Sequence, residues 1–297
     1  MNAASVKDKL KNISDRTGRN FQNLLIAYGL ERTIYRLSIS PYRDNLILKG
    51  GILLYALSDG DYPRVTTDID FLAQRVSNEL ENIKSVFIDI FSIQADDALE
   101  FELSSLVVKH ITEFKEYHGV NVSVMAYLDR TRIPISIDIG FGDVIYPDKV
   151  LMEFPSLISE EAPKVFAYSL ATSIAEKFES IVSLGYDNSR FKDYFDIYVW
   201  INKTSFEGTI LLEAVKETFE HRGTSPEKIV AFEPGFANDP IRTSRWTAFA
   251  KKKKISLDVT LEETIRQIEV FISPIMEAII DQTEFDKRWD PEKRVWE

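Results

Sequence analysis

The sequence contains no cysteine, which excludes disulfides and thiolate metal sites. Histidine is nearly as scarce. His110, His118 and His221 form no close pair, which argues against a zinc centre, so any bound metal is expected to be a hard ion held by oxygen. No apolar run approaches the roughly 18 residues of a membrane-spanning helix. The opening "MNAASVKDKLKNISDRTGRN" lacks the charged-then-apolar order of a secretion signal. These absences lead to the expectation of a soluble, cytoplasmic protein with no membrane partner. Positive charge is also in deficit, at 36 Lys and Arg against 47 Asp and Glu. The net charge of −11 disfavours non-specific nucleic-acid binding unless a local basic patch supplies it. What is present, 44% hydrophobic and 12% aromatic residues in 297, suffices for a packed core.

Helical spacing places Leu24, Leu25, Tyr28, Ile34 and Leu37 on one face of a helix over "FQNLLIAYGLERTIYRLSIS", expected to pack beside the first strand. "NLILKGG" is a short strand ending in two glycines, followed by a helix over "ILLYALSD". "TDIDFLA" is the next strand, and Ser77 is the expected cap of a helix over "SNELENIKSVFIDIFS". Three strand signals follow, "LSSLVVKHI", "GVNVSVMAY" and "IPISIDIGF". Val120, Val122, Val124 and Ala126 share one face of the second. Ile133, Ile135, Ile137 and Ile139 share one face of the third, opposite Ser136 and Asp138. From about Ala162 the signal becomes helical. The expected architecture is α+β, with a mixed-sheet domain over residues 1–160 and a mostly helical domain over 161–297 that completes the cleft of the first.

The segment "VTTDIDFLAQ" sets Asp68 and Asp70 one residue apart in an otherwise apolar stretch. Period-two geometry puts both on one face, where like charges repel unless a cation lies between them. Asp138 occupies the non-isoleucine face of a later strand. If the strands are neighbours, three carboxylates converge, the arrangement that phosphoryl transfer on one or two Mg²⁺ or Mn²⁺ ions needs. Upstream, Gly50 and Gly51 at a strand end can expose backbone N–H groups to an anion. Lys49, Arg64 and Thr67 flank these elements as candidate phosphate contacts, although Arg64 also reads as a surface residue. In the helical half Lys177 lies at or beside the stripe Leu170, Ile174, Phe178, Ile181 and Leu184, and must reach solvent, a carboxylate or a ligand anion. Asp193 and Asp196 are helix neighbours in an aromatic-rich segment, and Asp193 can pair with Lys177 or orient a substrate hydroxyl. Arg190 and Lys192 beside them read as phosphate contacts or as surface charges. "IRTSRWTAFAKKKK" carries six basic residues and no acidic one, and reads as a solvated loop or as a patch for RNA phosphates with Trp246 and Phe249 free to stack on bases.

The order strand–Gly-Gly–helix, D-x-D, then a lone strand aspartate resembles the DNA polymerase β-like nucleotidyltransferase superfamily. More narrowly, "LILKGGILLYAL…YPRVTTDIDF", "ISIDIGFGD" and "EKFESIVSLGYDNSRFKDYFDIYVW", with "FEHRGT" further on, resemble the AbiEii/AbiGii toxins of type IV toxin–antitoxin and abortive-infection systems. The likeness runs in register from Leu46 to Trp200. The sixteen residues between Gly51 and Asp68 exceed the usual spacing of the superfamily, and Gly51 stands where many of its enzymes have serine. The resemblance implies a toxin that transfers an NMP from an NTP to an acceptor, tRNA or another RNA, and that is countered by a partner antitoxin. It implies functional roles for Lys177 and for Asp193 first and Asp196 second, with Asp68, Asp70 and Asp138 as metal ligands. Two rival readings are a nucleotide-binding regulator without turnover and a small-molecule nucleotidyltransferase of the antibiotic-modifying kind.

Overall fold

A seven-stranded mixed sheet, with its strands in the spatial order Leu99–Ile111, Gly119–Leu128, Thr131–Phe141, Ile69–Ala73, Leu46–Lys49, Lys164–Ala167 and Val150–Glu153, organises the N-terminal part of the computed structural model, which describes residues 1–111, 119–158, 161–253, 255 and 259–297. His118 and Lys254 lie outside the described residues. The chain divides into two units. The first comprises Met1–Asp143 with Lys149–Tyr168, and the second comprises Val144–Asp148 with Ser169–Glu297.

In the first unit the elements run α1 (Ala3–Thr17), α2 (Phe21–Ser38), β1 (Leu46–Lys49), α3 (Gly50–Ala56), β2 (Ile69–Ala73), α4 (Leu80–Ser92), β3 (Leu99–Ile111), β4 (Gly119–Leu128), β5 (Thr131–Phe141), β6 (Val150–Glu153) and β7 (Lys164–Ala167). Strands β2 and β5 are parallel, as are β1 and β7; the remaining pairs are antiparallel. β4 and β5 form a hairpin whose strands close at Leu128 and Thr131, leaving Asp129 and Arg130 as the turn. The alternation read from sequence is the burial pattern observed, with Val120, Val122, Val124 and Ala126 buried together with the four isoleucines of β5.

Helix α2 is capped by Asn20, whose side chain accepts from the Asn23 N–H. It packs on β5 and β7 rather than chiefly on the first strand. At Gly29 the approach to β5 is so close that a Cβ would stand 2.7 Å from Ile133 Cγ2. The helix also buries charge that its apolar stripe does not announce. Arg32 Nε and Arg36 Nη1 donate to Asp97 at 2.8 and 2.6 Å, and the Tyr28 hydroxyl donates to the Asp97 carbonyl at 2.7 Å. Burial opposes ionisation of Asp97, but the hydrogen bond and charge of Arg36, with help from Arg32 and the Leu99 N–H, outweigh it and hold the carboxyl below its ordinary value.

Several boundaries differ from expectation. Helix α4 starts at Leu80, and Ser77 instead accepts the Glu79 N–H in the preceding turn. Strand β3 begins at Leu99 and is broken by a register shift between Glu102 and Val107. β6 and β7 extend the sheet on either side of Ala162, where the signal becomes helical, and the first helix of the second half starts only at Leu170.

The second unit contains α5 (Leu170–Leu184), α6 (Phe191–Ile201), α7 (Gly208–Arg222), α8 (Pro240–Lys253), α9 (Leu261–Asp281) and the short pair β8 (Trp289–Asp290) and β9 (Val295–Trp296). Ser169 caps α5 and Thr260 caps α9, each side chain accepting a backbone N–H three residues on. Trp289 is buried against Phe271 and donates Nε1 to the Ile201 carbonyl at 2.7 Å, which closes the C-terminal end onto the helices. The basic run is the helix α8 and not a loop. Trp246 is buried against Phe191, and Phe249 packs on Phe195 and Trp246, so the indole offers no platform for a base. Among the described residues no helix is long and apolar enough to cross a membrane.

Candidate active site

Asp68, Asp70 and Asp138 come together in the first unit. Each contributes a carboxylate oxygen within 4.8 Å of the others, and all three are half-buried. Register explains two of them. Asp70 on β2 and Asp138 on β5 are direct partners across a parallel pair, so their side chains leave the same face. Asp68 sits one residue ahead of β2 rather than within it, and reaches the group from that bend. Oxygen donors alone, three formal negative charges and partial burial fit a hard divalent cation. The same row of the sheet continues outward, with Asn121 on β4 opposite Asp138 and Lys49 on β1 opposite Asp70.

The two glycines have a steric explanation. Gly50 has φ +68°, and a Cβ there would lie 2.0 Å from Asp70 Oδ2. At Gly51 a Cβ would lie 2.8 Å from Arg64 Nη2 and 3.0 Å from Thr66 Oγ1. The pair lets one carboxylate and one guanidinium close onto the backbone at the start of α3. Arg64 is buried, which removes the surface reading, and Thr67 is exposed, with its N–H 3.4 Å from Asp68 Oδ1. The Lys49 ammonium donates to Asp143 Oδ2 at 2.8 Å and to the Tyr168 hydroxyl at 3.3 Å.

Within the second unit Lys177 is turned inward. Its Nζ lies 3.1 Å from Asp193 Oδ1 and 2.8 Å from Asp196 Oδ2, and the two carboxylates are 1% and 0% exposed. Arg190 donates Nε to Asp193 Oδ2 at 2.8 Å. Burial works against the charge on Asp193, yet Lys177, Arg190 and Lys192 together hold its carboxyl below the ordinary range in spite of Asp196. On the neighbouring helical surface Arg222 of the "FEHRGT" segment pairs with Glu176 at 3.1 Å and Glu179 at 2.8 Å.

Sequence reasoning missed Asn121, Asp143 and Tyr168. A signal existed for Asn121, because a two-residue turn at Asp129 and Arg130 fixes the hairpin register and sets it opposite Asp138. No comparable signal places Asp143 or Tyr168 at Lys49, since each depends on a loop or strand whose course the residues do not announce.

The family described as "Nucleotidyl transferase AbiEii toxin, Type IV TA system" matches residues 32–268. No curated protein matches the sequence. Among solved structures, a Helicobacter pylori protein provisionally named a nucleotidyltransferase aligns with a TM-score of 0.50 at 14% identity, covering 90% of this chain and 100% of its own. The JHP933 protein of Helicobacter pylori aligns at 0.46 and 14% identity, covering 87% of this chain and 94% of its own. The first likeness speaks to the fold. The family match covers most of the chain, and with it the chain belongs to the AbiEii nucleotidyltransferase toxins of type IV toxin–antitoxin systems, enzymes that use an NTP and are paired with an antitoxin.

Proposed function

We propose that this nucleotidyltransferase is metal-dependent and transfers an NMP to an RNA acceptor, tRNA foremost, in the cytoplasm. The convergence of Asp68, Asp70 and Asp138 is the observation that supports the reading most. These three residues would hold Mg²⁺ or Mn²⁺, and the bound ion would supply neutralisation of charge on the phosphoryl oxygens. In the proposed reaction an acceptor hydroxyl oxygen bonds to the α-phosphorus, the bond from that phosphorus to the bridging oxygen breaks, and pyrophosphate leaves. Asp138 either completes the ligand set or accepts the hydroxyl proton. Gly50 and Gly51 offer backbone N–H groups to the phosphates, and Lys49, Arg64 and Thr67 line the same part of the first unit.

For the helical unit the proposal gives Lys177 the donor's triphosphate or the charge on the leaving group, and gives Asp193 the orientation of Lys177 or of a substrate hydroxyl. Asp196 and Arg190 support them. The exposed lysines of α8 supply the positive charge that RNA phosphates require.

The test incubates the full chain with Mg²⁺, each labelled NTP and total tRNA. Label on RNA, lost with EDTA and lost in Asp68→Asn and Asp70→Asn, is the expected result. Absence of label with every NTP, where nucleotide binding is retained, overturns transfer to RNA. Label on a small molecule instead establishes the antibiotic-type rival, and growth arrest that persists in the double Asn variant establishes the non-catalytic one.

A further inference from the structure

Asp138 faces a problem that its position creates. Its nearest neighbour across β2 is Asp70, with Asp68 close by, so repulsion favours any rotamer that swings its carboxylate away from the group. On the opposite flank, β4 presents Asn121 directly across from it. The Asn121 Nδ2 donates to Asp138 Oδ1 at 2.6 Å, and also stands 3.1 Å from Ser136 Oγ and 3.4 Å from the Ile137 carbonyl. The amide nitrogen has two hydrogens to share among these three acceptors of β5, and its bond to Oδ1 coexists with the convergence of the three carboxylates, so a single rotamer of Asp138 serves both.

An amide suits this place chemically. It donates without bringing charge, so it does not compete with a cation for the carboxylates. One accepted hydrogen bond leaves most of the lone-pair capacity of Asp138 for a metal. Such outer partners orient the ligands they touch and tune the affinity of the site.

We propose that Asn121 is a positioning residue: it holds the Asp138 carboxylate where its oxygen converges with those of Asp68 and Asp70, and thereby sets the affinity of the group for a divalent cation. The inference rests on the reading of that group as the metal site.

The experiment measures Mn²⁺ binding to the full chain by electron paramagnetic resonance, without nucleotide, in Asn121→Leu, Asn121→Gln and Asp138→Asn, alongside thermal melting. Asn121→Leu keeps the size and removes the donor, and Asn121→Ala carries the same expectation where leucine is not accommodated. The expected result is a dissociation constant raised about 10- to 100-fold by the loss of the donor, with melting little changed. Asn121→Gln, which restores an amide, recovers part of that loss. Binding in Asn121→Leu within about twofold of the unsubstituted protein, where Asp138→Asn has lost it, overturns the role of Asn121 and leaves the metal reading intact. Unaltered Mn²⁺ binding in Asp138→Asn overturns the reading of Asp138 as a metal ligand, and with it the proposal, and leaves Asp138 as the base.

Discussion

Replacing Gly50 by alanine tests the construction of the site at a single atom. The new Cβ would lie 2.0 Å from Asp70 Oδ2, 2.5 Å from its Cγ and 2.8 Å from its Cβ. Ordinary contact for such a pair begins near 3.4 Å, so the carboxylate must retreat by more than an ångström. That exceeds the roughly 0.5 Å within which a reacting constellation must be held. Two costs add. The left-handed backbone at φ +68° penalises a side chain by about 1–2 kcal/mol, and overpacking adds about 1–3 kcal/mol. Gly18→Ala separates them. Gly18 in the same unit has φ +71° with no atom within 4 Å of its would-be Cβ, so it carries the backbone cost alone. Urea unfolding of both variants should show Gly50→Ala the more destabilised by about 1–3 kcal/mol. Label transfer to RNA should be lost in Gly50→Ala and kept in Gly18→Ala. Combining Gly50→Ala with Asp70→Ala should recover stability, because the two shortest contacts disappear. Equal stability of the two glycine variants, with transfer retained in both, would refute the close approach of Asp70 to the backbone.

Lys177→Met leaves the buried Asp193 and Asp196 without their shared cation and should cost about 3–5 kcal/mol in urea unfolding, a loss reduced when both aspartates are also made Asn. Asp97 has a lowered carboxyl in the folded state, so its stabilisation is complete above the unfolded value near 3.8 and fades as pH falls through the still lower folded value. Asp97→Asn should therefore destabilise strongly at pH 7, and the gap to the unsubstituted protein should narrow below about pH 4 in unfolding experiments. Alanine at Lys251, Lys252 and Lys253 should weaken labelling of RNA and flatten its salt dependence by roughly 2–3 in log–log slope, leaving nucleotide binding unchanged.

Where the residues speak with a period, the sequence reads directly into the structure. The alternation of β4 and β5, and the helical stripes of α2 and α5, depend on burial of one face and need no knowledge of partners. The three aspartates were legible for the same reason, because carboxylates on an apolar strand demand company. Strands β6 and β7 were not legible. Each has four residues, of which β6 buries none and β7 buries Val165 and Ala167, and each exists through its pairing in the sheet. The burial of Arg32 and Arg36 does not follow from the stripe of α2, because their partner Asp97 lies 65 and 61 residues further along the chain. The basic segment failed as a loop because Trp246 and Phe249 bind it to α6 by contacts that composition conceals.

The hairpin of β4 and β5 acts as a ruler for the chemistry. Asp138 lies seven residues beyond Thr131, a span of about 24 Å in extended chain, yet its alignment with Asn121 is decided at Asp129 and Arg130. Exchanging side chains in that turn leaves the measure intact. Adding or deleting one residue there slips every pair by one step and turns the isoleucines and the aspartate together toward the wrong sides. The turn can vary in identity within what the left-handed backbone of Asp129, at φ +55°, admits, and it cannot vary in length.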